Sequence, residues 1–254
     1  MAVKIISRTI EDTITRDGLK ALPETLVTVG GMAIQLYAQN LGYTNFRSTS
    51  DIDTETHERM SFTEFVDRIA VPIMDQLPNY SIIPRKRRKA FELKVISEAG
   101  EELLIHGNRH SQKEYALKAD IRNRELDNTH YIQIDGAPIK LVAPEDIIVT
   151  KLDRIIKNVM RYALIPEHKN VTQLNTDRIQ LFESFDNAEA EDIIHLQLNK
   201  DAHDLALISK KDIDPDYLFE AKKDWPELKR LNDTSPLVRK VAAFIPQKIS
   251  EALS

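Results

Sequence analysis

The sequence predicts an α+β protein. An N-terminal lobe, residues 1–143, is expected to carry a mixed sheet flanked by helices, and a helical lobe, residues 144–254, to follow it. Three observations predict this. Between Thr25 and Asp53 an apolar run, a double glycine, a helical stretch and an acid-x-acid pair succeed one another. From residue 81 to 140 the apolar residues take an alternating period, and beyond Pro144 they return to helical spacing. At 254 residues the chain can bury one large core or two small ones, and its 42% hydrophobic share is ordinary for a globular protein.

Taken in order, residues 1–24 predict a helical lead-in ending near Pro23, from the spacing of Ile5, Ile10, Ile14 and Leu19. Leu26, Val27 and Val29 make a strand that runs into Gly30-Gly31. Residues 32–41 read as helix, with Ala33, Leu36, Tyr37 and Leu41 near one face. Arg47-Ser-Thr-Ser50 then leads into an extended Asp51-Ile52-Asp53. Residues 57–79 predict a second amphipathic helix with Phe62, Phe65, Val66 and Ile69 on one side, and Ser61 and Glu64 have the spacing of a capping box. Residues 90–96, 102–106 and 115–121 read as strands. Residues 131–134 and 139–142 read as two more, joined through Asp135-Gly136, a hairpin-type turn. Pro144 suits the first position of a helix through Met160, and further helical segments are expected at 173–185, 188–197, 200–210, 215–222 and 235–253.

Composition removes several classes of function. With no cysteine there is no disulfide framework, no zinc–thiolate site and no thiol nucleophile. The charged N-terminus lacks the apolar centre of a signal peptide, and no apolar run approaches membrane-spanning length. The expectation is a cytoplasmic protein with no membrane partner. Net charge is −5, so contact with nucleic acid must come from a local patch. The seven histidines include His106, His110, His195 and His203, scattered without metal-ligand spacing, and they read as structural or exposed. Walker A, GxSxG and Rossmann glycine patterns are absent from the sequence.

The chemistry concentrates at the acid pair. In a strand, side chains alternate, so Asp51 and Asp53 share one face while Ile52 points into the core. Two carboxylates on one face repel unless a cation lies between them. Mg²⁺ prefers such oxygen ligands and keeps positions open for phosphate oxygens. Gly30 and Gly31 before a helix let backbone approach a phosphate, and the helix start favours the anion. Arg47, just ahead of the pair, either binds a phosphate or buttresses the loop, and the hydroxyls of Ser48 and Ser50 could bond phosphate. Pro84 is followed by Arg85, Lys86, Arg87, Arg88 and Lys89, the densest positive charge in an acidic chain, either a solvated turn or a contact for an RNA backbone.

Gly30-Gly31 followed by Asp51-x-Asp53 resembles the signature of the polymerase-beta-like nucleotidyltransferase superfamily. The spacer and the wording Arg-Ser-Thr-Ser-Asp-Ile-Asp are most similar to the AbiEii and MenT group, nucleotidyltransferase-type toxins of bacterial toxin–antitoxin systems. The resemblance extends over four regions from Gly30 to Leu205. It implies a third acid on a late strand, for which Asp120, ending the run Leu117-Lys-Ala-Asp-Ile121, is the match, as a metal ligand or general base. Pro144-Glu145 and Lys151-Leu152 match a helix whose lysine contacts nucleotide phosphates. Lys200-Asp201-Ala-His-Asp204-Leu205 is similar to the group's R-D-x-x-D-L element, with lysine in place of arginine. Asp201 and Asp204 fall on one helical face, either orienting Lys151, supporting the nucleotide or holding helices together.

What the resemblance implies is transfer of a nucleoside monophosphate from an NTP to an acceptor such as RNA or a tRNA 3′ end. Mg²⁺ or Mn²⁺ would be held by Asp51, Asp53 and Asp120, with Lys151 and Asp204 also catalytic, Asp201 binding nucleotide, and an antitoxin protein as partner. A small-molecule acceptor, as in antibiotic nucleotidyltransferases, and a non-catalytic nucleotide-binding module are the rival expectations.

Overall fold

The computed structural model describes residues 9–43, 48–49, 51–87, 90–108, 119–164, 200–201, 203–208 and 213–223, with side chains undescribed at 108, 119–120 and 156–164. It divides into two compact units, residues 1–143 and 144–254. The first holds a seven-stranded mixed sheet with helices, the α+β class expected from the sequence. Its strands are β1 (Val27–Val29), β2 (Asp51–Glu55), β3 (Ser81–Lys86), β4 (Ala90–Ile96), β5 (Glu102–Asn108), β6 (Thr129–Ile134) and β7 (Ala137–Val142), ordered β3-β4-β5-β2-β1-β7-β6. The pairs β1–β7 and β2–β5 are parallel and the others antiparallel.

The alternation of β2 does what the sequence promised. Ile52 and Thr54 are buried on one face, and Asp51 and Asp53 lie on the other. Leu103 and Ile105 of β5, and Phe91, Leu93 and Val95 of β4, continue the buried face. Helix α1 (Thr13–Lys20) packs there through Gly18, against Leu103, Ile52 and Ile105. Helix α2 (Gly30–Asn40) buries Met32 to Ala38 almost continuously. It starts at Gly30 itself, two residues earlier than the apolar periodicity indicates. The capping box forms as expected: Glu64 N–H donates to Ser61 Oγ at 3.2 Å, and Ser61 N–H donates to the Glu64 carboxylate at 2.6 Å. The helix it opens is not one piece. Helix α3 (Phe62–Phe65) passes through a π turn (Val66–Ala70) into α4 (Val71–Gln76). Pro72 lacks an N–H and its ring crowds the preceding turn, so a widened turn ahead of it relieves the clash.

The hairpin β6–β7 turns at Asp135 (φ 49°) and Gly136 (φ 83°), two positive values in succession, as a tight primed turn requires. Two expectations are corrected. Strand β3, absent from the sequence reading, takes up Arg85 and Lys86, so the first two residues of the basic run belong to an edge strand rather than to a solvated turn. Pro84 and the charged side chains suit an edge that must not recruit further strands. The strand expected at 115–121 is helical where described: Ala119–Asp127 forms α5 and carries Asp120, while 115–118 lie outside the described residues. Both edges of β2 are taken, by β1 and β5, so no strand from this stretch can pair with it. Arg, Glu and Leu in 122–126 are good helix formers, and five alternating residues are too few to outweigh them.

In the second unit, α6 (Pro144–Leu164) starts at Pro144, with Glu145 and Asp146 in its first turn. Residues 200–201 and 203–208 are helical, and α7 spans Pro215–Lys223. The helices expected at 173–185, 188–197 and 235–253 lie outside the described residues.

Two contacts around α1 give testable outcomes. Alanine is a better helix former than glycine by about 1 kcal/mol. Yet a Cβ at Gly18 would lie 2.4 Å from Leu103 Cδ2, in a fully buried layer. The overlap wins, and Gly18→Ala should lose about 1–2 kcal/mol, read as a lower urea midpoint with an unchanged slope. Tyr80 donates its hydroxyl to Asp17 Oδ2 at 2.6 Å. That bond, with burial and the Asp17 charge behind it, pushes the phenol up to about 12. A raised phenol stabilises the fold below its ordinary value near 10, and the stabilisation is lost as pH climbs towards 12. Urea curves of Tyr80→Phe should therefore fall below wild type by on the order of 1 kcal/mol at pH 8, with the gap closing by pH 12.

Candidate metal centre

Strand β1 ends at Val29, which pairs with Asp53, and α2 begins at the next residue. The register therefore brings the start of a helix beside the acid pair. Gly30 sits at φ 67°, and a Cβ there would come within 3.0 Å of Asp53 Oδ2. Only glycine fits, for conformation and for space. The first N–H groups of α2 lack partners within their own helix and carry its positive dipole end, so a place for an anion adjoins a place for a cation.

On its other edge, β2 pairs in parallel with β5 in the register Asp53↔His106. Leu103 and Ile105 face the core, so His106 faces the acids. Its Nδ1 lies 2.9 Å from Asp51 Oδ2 and 3.4 Å from Asp53 Oδ1. The hydrogen bond to Asp51, then that to Asp53, push the imidazole up to about 10 against the opposing effect of burial. Thr49 donates its hydroxyl to Asp51 Oδ1 at 3.3 Å. Asp51, Asp53 and His106 each offer one ligand atom, all within 4.8 Å of one another. Two carboxylates and an imidazole form a donor set that could bind a divalent metal. The residues present therefore fit the ion the sequence implies.

The geometry departs from the sequence reading at two residues. His106, read as structural or exposed, stands beside both acids and could serve as a metal ligand with them. Asp120, expected on a strand beside Asp51 and Asp53, belongs to a helix, and its side chain lies outside those described. The signal for His106 is its place one step out of phase with buried Leu103 and Ile105. Which strand it faces depends on a pairing that sequence does not reveal.

The register continues across the sheet: His106 opposes Glu92 on β4, and Glu92 opposes Arg85 on β3. Glu92 is only 4% exposed. Its Oε2 stands 3.5 Å from His106 Nε2, and its oxygens accept from Arg87 Nε at 3.1 Å and Nη2 at 2.9 Å, with Arg85 Nη1 3.7 Å away. Burial raises the Glu92 carboxyl, but the Arg87 hydrogen bonds and the Arg87, His106 and Arg85 charges outweigh it and hold it below the usual range. Two of the five basic-run residues are thus engaged with a buried acid. Lys86 is exposed, and Arg88 and Lys89 lie outside the described residues, as do Arg47 and Ser50. Ser48 is half-buried.

In the second unit, Lys151 and the acids of the 200–208 stretch meet one another. Lys151 is 4% exposed, and its Nζ donates to Asp201 Oδ1 at 3.1 Å and Asp204 Oδ2 at 2.6 Å. Arg154 forks onto Asp201, through Nε at 2.6 Å and through Nη2. Glu145 accepts the Asp214 N–H at 2.7 Å ahead of α7, and Tyr217 of α7 donates its hydroxyl to Asp146. Glu145, Asp146, Lys151 and Arg154 of α6 thereby tie α7 and the 200–208 stretch to it.

Among the described residues no helix is long and apolar enough to cross a membrane. No family model matches the chain, and no curated protein matches it. Among solved structures it is similar to an antigenic nucleotidyltransferase-like protein from Paracoccidioides brasiliensis, at 15% identity over 98% of this chain and 94% of that one, with a TM-score of 0.49.

Proposed function

We propose that the chain is a metal-dependent nucleotidyltransferase that moves a nucleoside monophosphate from an NTP to an acceptor hydroxyl and releases pyrophosphate. The observation that supports it is the acid pair set against the start of α2, with the Gly30 Cβ position 3.0 Å from Asp53 Oδ2. A metal–triphosphate needs a carboxylate-lined cation site and an anion site side by side, and this register supplies both. In the reaction the acceptor oxygen bonds to the α-phosphorus, the bond to the pyrophosphate oxygen breaks, and the hydroxyl proton passes to a carboxylate of the pair. A divalent ion, when bound by Asp51, Asp53 and His106, supplies neutralisation of phosphoryl charge and alignment of the attacking oxygen. Asp51, fixed by His106 and Thr49, is the more rigid carboxylate, and Asp53 is the more exposed. Gly30 and Gly31 admit the phosphates to the helix start, and Ser48, Ser50 and Arg47 are proposed to line them. By resemblance alone, Lys151, Asp201 and Asp204 belong to the nucleotide site, Asp120 to the metal, and the whole chain to an antitoxin-controlled toxin acting on tRNA in the cytoplasm.

The acceptor is proposed to be RNA, through Lys86 and its basic neighbours. The engagement of Arg85 and Arg87 by Glu92 favours a second reading, a small-molecule acceptor, because it draws two cations away from any RNA backbone. Incubation with each labelled NTP, a divalent ion and total bacterial RNA, resolved on a denaturing gel, separates them. Label on an RNA band supports the first. Label only on small products supports the second. No label anywhere would overturn nucleotidyl transfer.

A further inference from the structure

We infer that His106 ligates the metal through Nδ1, that Glu92 is the residue that seats it, and that the centre therefore prefers Mn²⁺ to Mg²⁺. The inference rests on reading Asp51 and Asp53 as metal ligands and says what kind of centre they belong to.

Backbone pairing, not a flexible rotamer, brings the imidazole to the acids, because Asp53 and His106 are register partners on neighbouring parallel strands. An octahedral ion with ligands at about 2.1 Å holds adjacent donor atoms about 3.0 Å apart. His106 Nδ1 stands 2.9 Å from Asp51 Oδ2 and 3.4 Å from Asp53 Oδ1, close to that edge length. Both carboxylates thus present an oxygen to Nδ1 near that spacing, and the three donors lie within 4.8 Å of one another.

Glu92 decides which nitrogen is offered. Its buried carboxylate lies on the far side of the ring, 3.5 Å from Nε2. An ion arriving between the acids would displace the proton that Nδ1 shares with Asp51 and Asp53, while Glu92 favours a proton kept at Nε2, so Nδ1 is the nitrogen offered. Arg87 and Arg85 hold that carboxylate ionised and fixed. A purely structural account does not require this arrangement. Burying a carboxylate is expensive, the two guanidiniums stand at a sheet edge within reach of water, and an apolar residue would pack the position as well. A histidine ligand backed by a carboxylate explains why an acid is kept there.

The preference follows from the donors. Mg²⁺ takes oxygen ligands and gives up water reluctantly, so an imidazole adds little for it. Mn²⁺ accepts the same octahedral carboxylate frame and gains from a nitrogen.

The test uses the full chain and Mn²⁺ alone, without nucleotide, so it is independent of catalysis. Mn²⁺ titrations followed by electron paramagnetic resonance give affinity, competition with Mg²⁺ gives preference, and pulsed measurements detect a directly bound ¹⁴N. Wild type should show ¹⁴N modulation and a clear Mn²⁺ preference. His106→Gln should lose the modulation and at least as much Mn²⁺ affinity as an outer-shell change does, on the order of tenfold or more, with Mg²⁺ affinity little changed. Glu92→Gln should keep the modulation but lose about tenfold in Mn²⁺ affinity, narrowing the preference. Mn²⁺ bound without ¹⁴N modulation, or bound equally by His106→Gln, overturns the inference and leaves an all-oxygen centre. Absence of any site that Asp53→Asn removes overturns the metal centre itself. Loss of nucleotidyl transfer with the nitrogen signal intact would strike the proposed reaction and leave this inference standing.

Discussion

Asp53→Asn should lower nucleotidyl transfer by about three orders of magnitude while leaving the fold as stable as before. The drop corresponds to the several kcal/mol of charge stabilisation that a divalent ion contributes to phosphoryl transfer, at roughly 1.4 kcal/mol per factor of ten. Asparagine keeps the shape and one oxygen but removes the charge that holds the ion. Stability should hold because Asp53 sits beside Asp51 on one strand face, and relieving like-charge repulsion offsets the lost contact to His106 at 3.4 Å. Asp51→Asn is the less clean experiment, since Asp51 also holds the imidazole at 2.9 Å and accepts from Thr49. The measurement is initial rate with saturating NTP for both proteins, alongside thermal melts. Equal rates would remove Asp53 from the chemistry. A collapse of melting temperature would mean that the residue is architectural.

The second large effect is on stability. Lys151→Met should destabilise the second unit by about 3–5 kcal/mol, the usual consequence of removing one partner from a buried ion pair. Asp201 and Asp204 are fully buried and face the same ammonium at 3.1 and 2.6 Å. Arg154 still neutralises Asp201 in the variant, whereas Asp204 loses its 2.6 Å bond to the ammonium. Adding Asp204→Leu to Lys151→Met should therefore restore much of what the single change loses, whereas Asp201→Leu should not, because it strands Arg154 instead. A double-mutant cycle by urea denaturation checks this. If Lys151→Met costs under about 1 kcal/mol, the cluster is wetter than the structure places it. This also bears on catalysis: any loss of transfer in Lys151→Met must be corrected for unfolding before the lysine is credited with a phosphate contact.

Local features were the legible ones. The capping box of Ser61 and Glu64, the Asp135-Gly136 turn, the start of α6 at Pro144 and the alternation of Asp51-Ile52-Asp53 each depend on residues a few positions apart, and each formed. The break in α3 was readable too, since Pro72 stands within the stretch, but apolar periodicity masked it. The centre itself was half legible. Its acids come from one strand, whereas its histidine comes from a strand whose neighbour is set by the order of the whole sheet. Alternation at 115–121 resembled a third strand only because nothing local shows that both edges of β2 are taken. The basic run was visible as charge, but its use was not: Glu92 reads as an ordinary solvated residue until β4 is laid between β3 and β5.

The parallel pairing of β2 with β5 has a consequence for how the protein comes into being. Between the two strands lie a helix with its π turn and a hairpin, and all of it must be synthesised before Asp53 can meet His106. Pairings that close long stretches of chain form slowly and late. A chain emerging from the ribosome presents its acid pair long before its histidine and the carboxylate behind it, so a partly made protein has no complete centre. The arrangement of Asp51, Asp53 and His106 would be complete only with the finished sheet, not with the acid pair alone.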